Sequence, residues 1–407
     1  MRPVHVVGLG VDYKNLTPLV SRLIYTADVL VGGTRLLAGF HDHPGMKIPI
    51  RGPLSNVIER VKQEMLSDRD VVVLADGDPL FFGIGTRLIK ALGAEHVLTY
   101  PNVTILQAAA SKMKIPWQDI RTVSLHGKND IWPLLRALVS SDFVAVYTDH
   151  DFHPARIAEE LIQRNVDGFR MRVFENLGGE REQIRILELC EARESTFSPL
   201  NLVLLQRVMC PEIPLRLGIE DSLYLHKKGL ITKREVRAFG LCLLDIQPHH
   251  TIWDLGAGCG SVAIEASVLA REGKVFAVER DPIRVQLIRE NLRRTGAYLV
   301  EAICGEMPSC LELLPDPDRI FIGGGIGRDN SVLEMAARRL KPGGKLVLHL
   351  ILFGSLIRAR QYLNCLGWPF CISQVQVSRS KNLAGDQRLE ALNPVYILSA
   401  TKPEELL

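Results

Sequence analysis

Gly256, Gly258 and Gly260 follow directly on the apolar run at 251–255, and they are the residues whose spacing most plainly could do chemistry. Glycine lets backbone come close to a ligand, and a helix that starts behind such a turn aims its first amides at it. Glu279 ends the next apolar run, roughly 20 residues on, where an acid in doubly wound nucleotide folds accepts hydrogen bonds from both ribose hydroxyls. Together these signals specify an adenosine ligand. The dinucleotide fingerprint needs glycine at the sixth position of the turn, where this chain has Ser261, so S-adenosylmethionine fits better than NAD. Each signal has a plain alternative: a tight strand-to-helix turn without ligand for the glycines, a solvated strand-end acid for Glu279.

The elements that must hold these residues alternate regularly. Strands are predicted at 251–255, 275–278, 319–322 and 345–350, with helices near 261–271, from Asp281-Pro282 to Arg294, and ending at Leu340 before the Pro342-Gly343-Gly344 turn. Such succession builds a parallel, doubly wound sheet. Upstream, short β-branched runs at 4–7, 71–75, 123–125, 143–147, 170–174 and 202–205 read as buried strands. Thr17-Pro18 and His153-Pro154 open helices between some of them, so the first half is also α/β, with a mixed sheet. A length of 407 residues exceeds the roughly 100–200 of one domain. Pro211 and Pro214 around an acid interrupt the alternation, which predicts domains at 1–207 and 215–407 joined by a linker at 208–214.

Composition narrows the partners. The hydrophobic fraction of 47% and charged fraction of 23% are those of globular proteins. No apolar run approaches the roughly 18 residues that cross a bilayer. The opening MRPVHVVGLGVD runs straight into a glycine turn and reads as a first core strand rather than a signal peptide, so a cytoplasmic location and no membrane partner are expected. A net charge of +3, with Lys and Arg interleaved among acids, is too small to argue for nucleic acid, and no nucleic-acid partner is expected. The eight cysteines include no C-x-x-C pair, which predicts reduced thiols. The sequence HDH at 41–43 and the pair His150 and His153 lack a third clustered ligand or helical spacing, so no metal site is expected.

At the level of longer motifs, GLITKREVRA, DLGAGCGSVAIEA, FAVERDP, ICGEMPSCLELLPDPDRIFIGGG and LKPGGKLV resemble the decarboxylating precorrin methyltransferase domain known as CbiT, over nearly the whole second half. In the first half VGGTRLL, GDPLFFGIGTRL, PWQDIRTVSLHG, VFENLGGEREQI and FSPLNLVLL resemble the tetrapyrrole methylase fold, specifically the domain named CbiE, across about residues 1–207. The resemblance implies a two-lobed, class III methyltransferase domain followed by a Rossmann-like class I domain, with S-adenosylmethionine as cofactor of both. In the second domain it places Thr232, Gly256, Ala257, Gly258, Cys259, Gly260, Glu279 and Met307 around the cofactor, with Met307 facing adenine. Thr232 has a second reading as a helix N-cap, because Glu235 follows at capping-box spacing. In the first domain the cofactor would lie folded between two lobes against the Gly-Asp-Pro loop, at Asp76, Gly77, Asp78 and Leu80. Trp117 resembles a family packing position and is expected in the core.

For the substrate, a tetrapyrrole, the run Gly323-Gly324-Gly325 at the carboxyl edge of the sheet leaves room for a flat macrocycle, or makes a flexible βα turn. Arg379 and Arg388 are candidates to meet substrate carboxylates, or lie in a solvated loop. The chain departs from the family in four places: Gly-Gly-Gly-Ile-Gly at 323–327, LHLILFGSL at 348–356, Gly10-Val11-Asp12-Tyr13, and Pro101-Asn102-Val103-Thr104-Ile105. The implied activity is methylation of a precorrin at carbon 5 by the first domain and at carbon 15, with decarboxylation, by the second, in a homo-oligomer, since methylases of the first type are often dimers. Two other readings stay open: a methyltransferase for RNA or another small molecule, and a first domain that binds tetrapyrrole without catalysis and feeds the second.

Overall fold

The strand Val71–Ala75 is buried at all five positions, as expected of a parallel strand covered on both faces. It lies within a computed structural model that describes residues 2–12, 16–127, 130–227, 229–323, 326–327 and 329–404. The chain divides into two units, one of residues 1–129, 142–156 and 170–206, the other of residues 130–141, 157–169 and 207–407.

The first unit holds strands β1 (Val4–Gly8), β2 (Val29–Gly32), β3 (Met46–Pro49), β4 (Val71–Ala75) and β5 (Val97–Tyr100), all parallel, in the order β3-β2-β4-β1-β5. A second sheet takes β6 (Arg121–Ser124), β7 (Phe143–Tyr147), β8 (Phe169–Glu175), β9 (Gln183–Leu187) and β10 (Asn201–Arg207) in the order β6-β7-β10-β8-β9. It is mixed: β6 and β7 run parallel, β10 antiparallel to β7, and β9 antiparallel to β8. Because β1 sits between β4 and β5, the loops leaving the carboxyl ends of these three strands meet. Local caps fix the helices between strands. Thr17 Oγ1 accepts from Val20 N ahead of Pro18–Thr26, and a Thr104–Gln107 capping box opens Ile105–Met113.

In the second unit β11 (Thr251–Leu255), β12 (Lys274–Glu279), β13 (Val300–Cys304), β14 (Arg319–Ile322) and β15 (Lys345–Leu350) are parallel, followed by β16 (Phe370–Val375), β17 (Ser378–Leu383), β18 (Asp386–Ala391) and β19 (Val395–Thr401). The seven-stranded sheet has the order β13-β12-β11-β14-β15-β19-β16, while β17 and β18 form a separate hairpin. The expected parallel sheet therefore needs one correction: β19 is antiparallel to both β15 and β16. No helix crosses over between the hairpin and β19, so the chain comes back against the direction of β15. Helix Ser261–Leu269 is buried from Ser261 to Ser267, the pattern of a helix wrapped on all sides by core. Asp281 accepts from Ile283 N to cap Pro282–Thr295, and Gly296 at φ +67 closes that helix. Among the described residues no helix is long and apolar enough to cross a membrane.

Candidate active sites

At the carboxyl end of β11 the three glycines do different work. Gly256, at φ +73, turns the chain so that its N–H and that of Ala257 both donate to Val278 O, at 2.9 and 3.0 Å. A Cβ on Gly260 would stand 3.0 Å from Ile288 Cγ2, so this glycine lets the helix Pro282–Thr295 pack closely against the turn. A Cβ on Gly258 would meet nothing within 4 Å; this is the position whose backbone faces open space. Glu279, 5% exposed, reaches back from β12, and its Oε2 accepts from Gly258 N at 3.0 Å. Its Oε1 accepts from Arg280 N and Asp281 N, and Arg284 Nη1 lies 3.7 Å from Oε2. The acid and the glycine turn, 21 residues apart in sequence, thus form one cradle. Cys259 is buried, and burial pushes its thiol up, away from thiolate chemistry.

Met307 lies half-buried on the loop that follows β13, and Gly305 N donates to Glu279 O at 3.1 Å, which ties that loop to the cradle. Sequence reasoning passed over Asp254, though an acid inside the apolar strand TIWDL was a visible signal. Its Oδ2 accepts from Ala263 N at 3.0 Å while its Oδ1 is buried with no partner. Burial, against the hydrogen bond from Ala263, pushes this carboxyl up to about 7. An unfilled buried acceptor next to a glycine turn that opens outward suits a ligand carrying both a nucleoside and an ammonium group.

Thr232 is placed by a buried network also missed in the sequence. Arg237, with no exposed surface, donates from Nε to Glu265 Oε1 at 2.8 Å, from Nη1 to Thr232 O at 2.5 Å and Asp221 Oδ1 at 3.2 Å, and from Nη2 to Ile219 O at 2.5 Å. Glu265 in turn accepts from Gly218 N and Ile219 N. Asn291 fastens the same segment to the glycine turn, donating to Leu225 O and Cys259 O, both at 2.9 Å. The capping-box reading of Thr232 is overturned: the helix Arg234–Leu244 is capped by Lys233 without a side-chain bond, and the Glu235 carboxylate is turned toward Arg379.

Gly323 continues β14 beside the turn, its N–H donating to Leu255 O at 3.2 Å. A Cβ there would stand 3.6 Å from Gly256 O and 3.0 Å from Phe321 Cε1, so the first glycine of the run abuts the cofactor turn. Gly324 and Gly325 lie outside the described residues. Arg379, on β17, is held by two carboxylates of the chain itself, Glu235 Oε2 at 2.5 Å and Asp221 Oδ2 at 3.0 Å. Arg388, on β18, is exposed and reaches Glu390 at 3.3 Å.

In the first unit the loops after β1, β4 and β5 are locked together. A Cβ on Gly8 would lie 1.8 Å from Gly77 O and 3.1 Å from Asn102 N, and a Cβ on Gly77, at φ +53, would lie 2.9 Å from Thr104 Cα. Asn102 donates from Nδ2 to Gly8 O at 3.2 Å and accepts from Val103 N at 2.8 Å. Asp78 accepts from Leu80 N at 2.8 Å, Leu80 itself is 44% exposed, and Asp76 pairs with Arg35. Asp78, Phe81, Asn102, Thr104, Gln107 and Trp117 line an open cleft of about 350 Å³, within the range of small-molecule sites. Trp117 corrects an expectation: it is 49% exposed, because the short 3-10 turn Trp117–Asp119 before β6 leaves the ring at the cleft rather than in the core. Two of the histidines hold local backbone, while His41 and His150 are exposed beside Asp42 and Asp151. His43 is buried between Ile24 O and Gly45 N, and His153 Nδ1 accepts from Arg156 N at a helix start. Among the described residues no group of three or more His, Cys, Asp or Glu is placed to hold a metal ion.

Comparison with known proteins matches each half. Residues 3–192 match the family of tetrapyrrole (corrin/porphyrin) methylases, and residues 223–402 match the precorrin methyltransferase domain. A Sinorhizobium protein named precorrin-6Y C(5,15)-methyltransferase (decarboxylating) is 34% identical over 358 residues, 85% of this chain and 84% of the relative. A Pyrobaculum aerophilum protein named probable cobalt-precorrin-6B C(15)-methyltransferase (decarboxylating) is 36% identical over 45% of this chain and 95% of its own length. A Salmonella typhimurium protein named cobalt-precorrin-7 C(5)-methyltransferase is 34% identical over 45% of this chain and 89% of its own length. A relative matched along most of both chains, with a separate family model on each half, shows that the chain belongs to the family of decarboxylating precorrin-6Y C(5,15)-methyltransferases.

Proposed function

We propose that this chain methylates precorrin-6B, or its cobalt form, at carbons 5 and 15 and removes the ring C acetate carboxylate in cobalamin biosynthesis. The observation that carries the reading is the division of relatives: one names both positions along most of the chain, while two single-position relatives each match about half of it. In this reading residues 215–407 act at carbon 15 and decarboxylate, residues 1–207 act at carbon 5, and 208–214 is a linker. The cytoplasm is the proposed compartment, and a homo-oligomer the proposed form.

S-adenosylmethionine, when bound, supplies a methyl on a sulfonium that is already a good leaving group. In the second unit Glu279 would meet the ribose, Gly256, Ala257, Gly258, Cys259 and Gly260 the nucleoside and tail, Met307 the adenine, and Asp254 the ammonium, with Thr232 closing the pocket. In the first unit Gly77, Asp78 and Leu80 would present loop backbone to the cofactor, and Asp76 would orient the loop through Arg35. Gly323 would leave space for the macrocycle. Arg388 would face its carboxylates, while Arg379 anchors the hairpin that carries Arg388. The chain needs no strong base. Bridging carbons of a precorrin are enamine-like nucleophiles, and when the acetate carboxylate leaves as carbon dioxide its electron pair passes into the conjugated ring. The residues therefore hold, orient and exclude water.

The test is mass spectrometry of products after mixing the chain, S-adenosylmethionine and precorrin-6B with and without cobalt. Two added methyls with loss of carbon dioxide support the reading; no mass change in any mixture sinks it.

A further inference from the structure

The segment that leaves β15 carries an unusual surface. Ile351, Leu352 and Phe353 follow one another at 65%, 69% and 67% exposure, and Ile357 on the next turn is 53% exposed. Scattered exposed apolar side chains are ordinary, but a contiguous patch of large ones marks a binding surface. The patch is anchored rather than loose. The Phe353 ring lies 5.4 Å from that of Tyr396, and Arg358 donates to Gly327 O at 2.9 Å, which ties the helix Phe353–Cys365 to the loop leaving Gly323. β15 neighbours β14 in register, so the patch and Gly323 stand side by side at the carboxyl edge, where open α/β sheets take their ligands.

The patch also ends in charge. Spacing of four and then three residues puts Phe353, Ile357 and Arg360 on one face of the helix. Arg360 is exposed, and among the described residues it has no carboxylate partner. An apolar ledge closed by a guanidinium complements a ligand with a flat apolar face and acidic side arms. We infer that Leu352, Phe353 and Ile357 form the floor on which one face of the tetrapyrrole lies during reaction at the second unit, and that Arg360 meets a carboxylate arm. This rests on the functional reading above and adds the residues that select its substrate.

The experiment uses the full chain and its Leu352→Ser and Arg360→Ala variants, saturating S-adenosylmethionine and varied precorrin-6B, with the decarboxylated product counted by mass. Affinity for S-adenosylmethionine is followed by calorimetry and molecular mass by sedimentation. Losing the burial of a leucine should raise KM for the macrocycle about tenfold, with kcat, cofactor affinity and mass held. Arg360→Ala should raise KM in the same way. No turnover by the unsubstituted chain sinks the functional reading and this inference with it. Turnover with KM unmoved in both variants sinks the inference alone. So does a fall in activity that comes with a change of mass, which would make the patch a contact between copies of the chain.

Discussion

Asp254 is the residue whose chemistry is least expected of its position. Its carboxyl is raised from about 3.8 to about 7 by burial, so the folded chain holds the proton more tightly than the unfolded chain. The sign follows from linkage. This contribution to stability is complete below about pH 4 and is lost as pH rises through about 7. Thermal melts across that window should show wild-type stability falling relative to Asp254→Asn, which carries no proton to lose; parallel curves would refute the assignment. Arg237 presents the opposite case, a buried charge fully matched by Glu265, Asp221 and two carbonyls. Replacing it with leucine leaves Glu265 charged and buried, at a cost of about 3–5 kcal/mol. Urea denaturation should register that loss, and Arg237→Leu combined with Glu265→Leu should recover part of it. Recovery would separate an ion-pair role from simple packing.

For elements, the glycine turn gives the sharpest contrast. Alanine at Gly258 or Gly260 must adopt a left-handed backbone, which costs about 1–2 kcal/mol at either site. At Gly260 the new methyl also presses on Ile288, so the loss should appear chiefly in stability. At Gly258 the methyl projects into open space, so the loss should appear chiefly in S-adenosylmethionine affinity by calorimetry. Equal effects on both readouts would contradict the division of roles. Much of this element was legible beforehand, because β11, β14 and β15 are apolar runs bounded by turn residues and coincide with the predicted strands. Glu279 was legible for the same reason, as the last residue of an apolar run. β2, β3, β5 and β13 were not, being four or five residues long with little to distinguish them from the ends of helices. The Arg237 network could not be read at all, since Arg237 sits among charged neighbours in KREVRAF and only packing makes it buried. Trp117 went the other way: its likeness to a family packing position suggested core, and a three-residue 3-10 turn leaves it 49% exposed.

On the scale of the whole molecule, every side chain placed in each candidate site belongs to that site's own unit. The first uses loops after β1, β4 and β5, locked by Gly8 against Gly77. The second uses the ends of β11, β12 and β14, joined by Glu279. Each site is therefore expected to fail alone. A methyl on Gly8 would stand 1.8 Å from the Gly77 carbonyl and must push the Gly-Asp-Pro loop aside, so Gly8→Ala should abolish methylation at carbon 5 while decarboxylation persists. Glu279→Ala removes the acid beneath the second cradle and should abolish decarboxylation. If the partly reacted tetrapyrrole leaves one site for solution before meeting the other, the two variants mixed together should make the doubly methylated, decarboxylated product that neither makes alone. Mass spectra of that mixture decide the point. Full product shows two self-sufficient sites sharing a diffusible intermediate, whereas a mixture that stops at one methyl means that the intermediate must be passed on within a single assembly.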